Sequence, residues 1–198
     1  GYIYSGPVAG YSYKAIEGRK YKTVVLVGPS HIASFDGISI IDNADYFNTP
    51  LGKVPFNKEL IEKFKNYSDK IKYFPESYYN QGRYEHNLEV QLPFLQTVLK
   101  DFDIVMLIVG SLSVNNIKLL ANAFTHIISE DKEILLVLST DMSHYYSYDA
   151  AVEMDKLAIK DIEDFNISKL MNDLDSKRCQ LCGAGAVLAG MYYLQNIN

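Results

Sequence analysis

Three short aliphatic runs in this chain break abruptly into small polar residues. Thr23-Val24-Val25-Leu26-Val27 gives way to Gly28-Pro29-Ser30-His31, Ile104-Val105-Met106-Leu107-Ile108-Val109 to Gly110-Ser111, and Ile134-Leu135-Leu136-Val137-Leu138 to Ser139-Thr140-Asp141. Unbroken apolar runs of this length predict strands covered on both faces, as in a parallel sheet between helices. The segments between them repeat at helical spacing. Asn57 can cap a helix carrying Leu60, Ile61, Phe64 and Tyr67, and Asn115 or Asn116 one carrying Ile117, Leu120, Phe124 and Ile127. Ser147 or Asp149 opens a third, with Ala151, Met154, Leu157, Ala158 and Ile162, and residues 183–195 form an Ala-, Leu- and Met-rich fourth. Leu88, Leu92, Leu95 and Leu99 make a helical stripe interrupted by Pro93. Residues 38–41 read as a short strand and 67–83 as partly irregular. Strand–helix alternation of this kind predicts a layered α/β fold. No repeat, low-complexity stretch or linker divides the chain, so residues 1–198 read as a single domain.

Composition narrows the function classes. The net charge is −5 and no Lys/Arg block occurs, which excludes electrostatic capture of nucleic acid or of an anionic membrane. No apolar run approaches the ~20 residues of a membrane-spanning helix. Hydrophobic residues make up 48%, but 16 of them are Tyr and none is Trp, so the apolar stock is unusually rich in amphipathic rings. Two cysteines lying close together argue against a disulfide scaffold and for a reducing, cytoplasmic compartment. The chain opens on Gly1 without Met and closes on Asn198 directly after an apolar helical pattern, so it reads as an excised core lacking segments at both ends.

In sheets of this type ligands collect beyond the carboxyl ends of the strands, which points to His31, Ser111, Asp141 and His144. Gly28 and Pro29 predict a tight turn that holds the His31 imidazole in one place; the alternative is a loop histidine bonded to a backbone carbonyl. Asp141 and His144 stand three apart, and a carboxylate near an imidazole fixes its tautomer and raises its basicity. Alternatively Asp141 caps the next turn and His144 lies on the surface. Glu85 and His86 lead into the leucine stripe. Neighbours on a helix point in different directions, so one is expected to face the site and the other to do structural work. His126, beside Phe124, is assigned to packing or surface.

Cys179-Gln180-Leu181-Cys182 lacks the second ligand pair of a structural zinc site, and no strand precedes it as in a thioredoxin-like motif. Cys182 stands at a helix start, where a thiol has a lowered pKa, whereas Cys179 reads as a small buried hydrophobe. A hydrolase built on Ser30, His144 and Asp141 ranks below a metal site, because Gly28-Pro29-Ser30-His31 is not a Gly-x-Ser-x-Gly elbow. Most of the clustered tyrosines read as half-buried rings. Tyr145, next to His144, is the one expected to line a cleft.

Five segments acquire a common meaning when taken in order. Gly28-Pro29-Ser30-His31, Glu85-His86-Asn87-Leu88-Glu89-Val90-Gln91-Leu92-Pro93, Val109-Gly110-Ser111-Leu112, Ser139-Thr140-Asp141-Met142-Ser143-His144 and Leu181-Cys182-Gly183 resemble the Memo family. Its prokaryotic members are often labelled system protein B of the AmmeMemoRadiSam group, and the likeness runs from Gly1 to the last helix. The resemblance implies a three-layer α/β/α fold with a largely parallel or mixed central sheet, similar to class III extradiol dioxygenases, which open aromatic rings with non-haem iron. Memo-like proteins replace the carboxylate ligand of those enzymes with Cys. Carried over by position, the likeness makes His31 and Cys182 metal ligands and sets His144 where the dioxygenases keep a catalytic acid/base. Asp141 and His86 then line the cleft. Glu85, Ser30, Ser111 and Tyr145 complete the set expected there, and Asp141 doubles as the residue that orients His144.

The family's other ligand histidine belongs to a His-Ala-Gly-Tyr segment. Gly1-Tyr2 resembles its continuation, so that His is expected just before Gly1; family members also often carry Pro where Ala186 stands. A His/His/Cys set is softer than two His and a carboxylate, so iron or copper is the expected metal, with zinc as the alternative. The expected function is metal-dependent, dioxygenase-like redox chemistry on a small substrate. A non-catalytic module that binds a peptide or phosphopeptide in the same cleft is the second reading, and a zinc-dependent hydrolase the third.

Overall fold

The computed structural model of the protein describes residues 2–197. From the start of the chain, α1 (Tyr2–Lys14) leads to β1 (Thr23–Pro29), β2 (Ile38–Ile40), β3 (Tyr46–Thr49), β4 (Gly52–Pro55) and α2 (Lys58–Tyr67). The polar, aromatic stretch that follows holds only β5 (Ile71–Lys72), a 3-10 turn, β6 (Tyr79–Asn80) and β7 (Arg83–Tyr84). Next come α3 (Leu92–Val98), β8 (Asp103–Val109), α4 (Val114–Ile127), β9 (Ile134–Leu138), α5 (Tyr148–Glu163), α6 (Ile167–Asp175) and α7 (Ala184–Ile197).

The five strands β5-β2-β8-β1-β9 form the central sheet in that order. The three aliphatic runs are the parallel strands β8, β1 and β9, while β2 runs antiparallel to β8, so the sheet is mixed. Because successive side chains leave a strand on opposite faces, the contacts of β1 and its neighbours sort the layers. Val27 pairs with Leu138, and Leu138 meets α7 at Gly190; Val109, in register with Pro29, meets α7 at Gly185. Gly28 points the other way, against Asn87 and Leu88 at the approach to α3. Helices therefore cover both faces in a three-layer α/β/α arrangement, and Val24, Val25, Leu26 and Val27 have no exposed surface. Phe64 of α2 meets Phe124 of α4 edge to face at 6.2 Å, which closes the layer on α7's side. At the sheet's edge the burial changes. All five residues of β9 are only half-buried, and among the described residues no strand pairs with its outer side.

Several boundaries differ from those the sequence predicts. Ser113, not Asn115 or Asn116, caps α4: its Oγ accepts the Asn116 N–H at 3.1 Å. Asn116 is itself fully buried, and its side chain donates to the Ser111 carbonyl at 3.0 Å. Pro93 interrupts nothing, because it sits in the first turn of α3, where its missing N–H has no helical partner to lose. α1 carries two glycines and a proline and has no clear apolar stripe. It forms against α3, with Tyr13 stacked on Phe94 at 5.0 Å and its hydroxyl donating to Gln91 at 2.6 Å. Among the described residues no helix is long and apolar enough to cross a membrane.

Candidate functional site

The carboxyl ends of β1, β8 and β9 and the start of α7 come together through close backbone approaches. At Gly28 a Cβ would stand 2.2 Å from Asn87 Oδ1, so only glycine lets the segment before α3 lie on the end of β1. The Asn87 side chain donates to the Pro29 carbonyl and secures that approach. Gly183 works in the same way, since a Cβ there would meet the Ser139 carbonyl oxygen at 2.1 Å. Thr140 Oγ1 accepts the Gly183 N–H at 2.9 Å and donates to the Asp141 carbonyl at 2.8 Å. Gln91 Nε2 donates to Ser139 Oγ at 3.0 Å, joining the α3 side to the end of β9.

These approaches bring His31, Glu85 and Cys182 together. His31 Nδ1 lies 2.9 Å from Glu85 Oε1, and the His31 backbone N–H donates to Glu85 Oε2 at 2.5 Å. With Nδ1 committed to Glu85, Nε2 is the ring nitrogen left for the neighbouring Cys182 thiol. Glu85 has 1% of its side chain exposed and His31 has 36%, so the carboxylate stands behind the imidazole and the imidazole faces outward. Cys182 Sγ also accepts the Asp141 N–H at 3.0 Å, while the Cys182 N–H donates to the Asp141 carbonyl at 3.1 Å.

The electrostatics follow from these partners. Cys182 and then Glu85 raise the His31 pKa to about 10, with burial opposing them. Burial disfavours the ionised form of Glu85, yet hydrogen bonds from the His31 ring and backbone hold it below the ordinary carboxylate range. Burial likewise disfavours the Cys182 thiolate, but His31, the Asp141 N–H and Thr140 bring that thiol below its ordinary value. The His31 ring is thus favoured in its protonated form and the Cys182 thiol ionises more readily than a free one, with the Glu85 carboxylate behind His31.

The other predicted residues take varied positions. His86 stacks on His31 with ring centroids 5.9 Å apart. Glu85 and His86 lie in a turn rather than on a helix, and the Glu85 carboxylate is turned away from the cleft surface expected for it. Asp141 and His144 are both exposed, and His144 Nε2 lies 3.8 Å from Asp141 Oδ2, beyond hydrogen-bond range. It is the Asp141 backbone, not its carboxylate, that is bound into the site. Tyr145 projects fully into solvent with φ 64°; its ring lies 6.1 Å from that of His144 and is not packed in a cleft. Ser30 Oγ accepts the Ala33 N–H at 3.2 Å, and Ser111 Oγ accepts from the Asn116 side chain at 3.2 Å, so both hydroxyls brace their own loops. His126 is exposed beside Tyr67. Thr140, Asn87, Gln91 and Gly28 were absent from the predicted set. Their signal was position alone, each lying within a strand-end or pre-helix segment already marked.

The profile of the Memo-like protein family matches residues 1–198. The chain belongs to the Memo-like family. Curated relatives named "MEMO1 family protein" include one from Nitrosopumilus maritimus, 33% identical over 198 residues, which are 100% of this chain and 70% of the relative. Another from Saccharolobus islandicus is 33% identical over 196 residues, 96% of this chain and 67% of the relative; one from Ignicoccus hospitalis is 35% identical over 196 residues, 97% and 67%. The segments that carry the Memo-like resemblance are the ones that converge here.

The donors of this Memo-like chain fit two positions of a metal centre. Imidazole and thiolate suit a borderline-soft transition metal, and a histidine ligand ordinarily gives its second ring nitrogen to a carboxylate, as His31 gives Nδ1 to Glu85. Among the described residues no group of three His, Cys, Asp or Glu side chains is close enough to hold an ion. The third ligand expected from the sequence falls before Gly1, outside the described residues.

Proposed function

We propose that this Memo-like chain holds an iron or copper ion through His31 and Cys182 and supports oxygen-dependent redox chemistry on a small substrate. The observation that carries this reading is the placing of Cys182 Sγ, held by the Asp141 N–H at 3.0 Å, beside a His31 ring that has Glu85 Oε1 2.9 Å behind its Nδ1. When bound, the metal supplies one-electron chemistry and an open position for substrate.

The chain's own residues have separate tasks. Cys182 contributes a thiolate whose charge is held by the Asp141 N–H and the His31 ring. His31 keeps one nitrogen for the ion because Glu85 occupies the other. His144 is the proton carrier: 43% of its side chain is exposed, and its Nε2 lies 3.8 Å from Asp141 Oδ2. The His86 ring, stacked on His31, shields one face of that ligand from water.

Anaerobic titration with Fe(II), Cu(I) and Zn(II), followed by calorimetry, tests the site. Wild type is expected to bind one ion, and Cys182→Ala and His31→Ala each to lose more than the ~10–100-fold that removing a residue behind a ligand costs. Equal stoichiometry and affinity in wild type and Cys182→Ala would overturn the assignment.

A further inference from the structure

Glu85 has a larger share in this site than any single ligand contact. Its carboxylate receives four donors: the His31 ring at Nδ1 (2.9 Å), the His31 backbone N–H, the His86 N–H (2.9 Å) and the Asn87 N–H (3.2 Å). The first two fix where the β1 turn ends and how its imidazole is rotated. The other two fold the 85–87 turn around the same carboxylate, and that turn carries the His86 ring stacked on His31. The neighbouring acid of the site, Asp141, has 55% of its side chain exposed and its carboxylate 3.8 Å from His144, so it has no comparable grip. A carboxylate buried to 1% and saturated by donors from two turns holds both of them in one relation.

We propose that Glu85 is the positioning residue of this site, one buried carboxylate that sets both the rotation of the His31 ring and the seat of His86 above it. The proposal rests on His31 and Cys182 being the metal-holding pair, but its structural half stands on the metal-free chain. An isosteric amide cannot reproduce it. In Glu85→Gln one oxygen becomes an NH2 group, which repels at least one of the N–H donors now satisfied there.

The test has two readouts. In the metal-free protein labelled with 15N-histidine, wild type is expected to show a His31 ring N–H far downfield and protected from exchange, because it is hydrogen-bonded to Glu85. Glu85→Gln is expected to shift that signal upfield, because an amide oxygen in the Oε1 position still accepts the ring N–H but as a neutral, weaker acceptor, while its circular dichroism stays that of wild type. In parallel, Co(II) titration followed through the thiolate-to-cobalt absorption is expected to show about 10–100-fold weaker binding in Glu85→Gln at unchanged stoichiometry. The exposed control Glu89→Gln changes neither.

A folded Glu85→Gln that leaves the ring N–H unshifted and binds Co(II) within twofold of wild type overturns the proposal. If that variant does not fold, wild type decides alone, since absence of a protected His31 ring N–H overturns it and presence supports it. A wild type that shows the ring N–H but binds no Co(II) counts against the metal reading and leaves the positioning role of Glu85 supported.

Discussion

Cys179 and Cys182 lie three positions apart and meet opposite surroundings. Cys179 is 1% exposed, and burial, followed by the nearby Asp173 and Asp161 carboxylates, pushes its thiol up. Cys182 is partly exposed and accepts the Asp141 N–H, and with the His31 ring beside it its thiol is brought down despite burial. Since the thiolate is the reactive form, iodoacetamide at neutral pH is expected to alkylate Cys182 and spare Cys179 until denaturant is added. Peptide mass mapping reads the outcome, and equal labelling of the two in the folded protein would contradict it. The positions of His31 and Cys182 were legible in the sequence, because one lies just past a strand end and the other just before a helix start. The task of Glu85 was not, because an adjacent Glu-His pair was judged by helix geometry. The chain there is a turn, and a turn lets Glu85 point inward while His86 points out.

Among the elements, α7 is positioned by its first residues. Gly183 sits so near the end of β9 that a Cβ would collide with backbone at Ser139, which cannot yield as a flexible side chain would. Gly183→Ala is therefore expected to destabilise the fold by about 1–3 kcal/mol, the usual cost of overpacking, and to weaken the Cys182 alkylation preference. Urea denaturation and the labelling assay measure the two effects, and a variant unchanged in both would refute the close-packing argument. Buried charge holds the other end of this segment: Asp173 pairs with Lys169 and with Arg178 at 3.0 Å each, just ahead of the loop that carries Cys182. The three parallel strands were legible because both of their faces are apolar. α1 and the β3–β4 hairpin were not, because neither has a periodic apolar face. α1 exists by virtue of Phe94 and Gln91, residues far away in sequence. The cap of α4 was misplaced by two or three residues because Ser113, Asn115 and Asn116 are all competent caps, and burial drew Asn116 elsewhere.

For the molecule as a whole, the site ties stability to pH. The folded pKa of His31 is raised, so its contribution is complete below the ordinary imidazole range and is lost as pH rises through about 10. Cys182 runs the other way, with a contribution complete above the ordinary thiol range and lost as pH falls through its lowered value. The two offset each other at intermediate pH. The net alkaline loss therefore falls above the ordinary thiol value of ~8.5 and ends as His31 deprotonates. Glu85, held low, adds a loss on the acid side as pH falls through its folded value. Urea midpoints at about pH 7, 9 and 10.5 are expected to drop between the last two in wild type and to drop less in His31→Gln; parallel curves would refute this linkage. The layered class was legible at this scale from strand–helix alternation, and a parallel or mixed sheet from the family resemblance. The order of the strands and the reversed direction of β2 were not, since β2 is three residues long and carries no mark of direction. The half-buried row on β9 has a practical consequence. An aliphatic edge left unpaired among the described residues is a template for another chain's backbone, and a net charge of −5 supplies only a salt-sensitive repulsion against it. On heating, edge-to-edge association then competes with reversible unfolding, and the midpoint of a thermal scan becomes a function of protein concentration and scan rate.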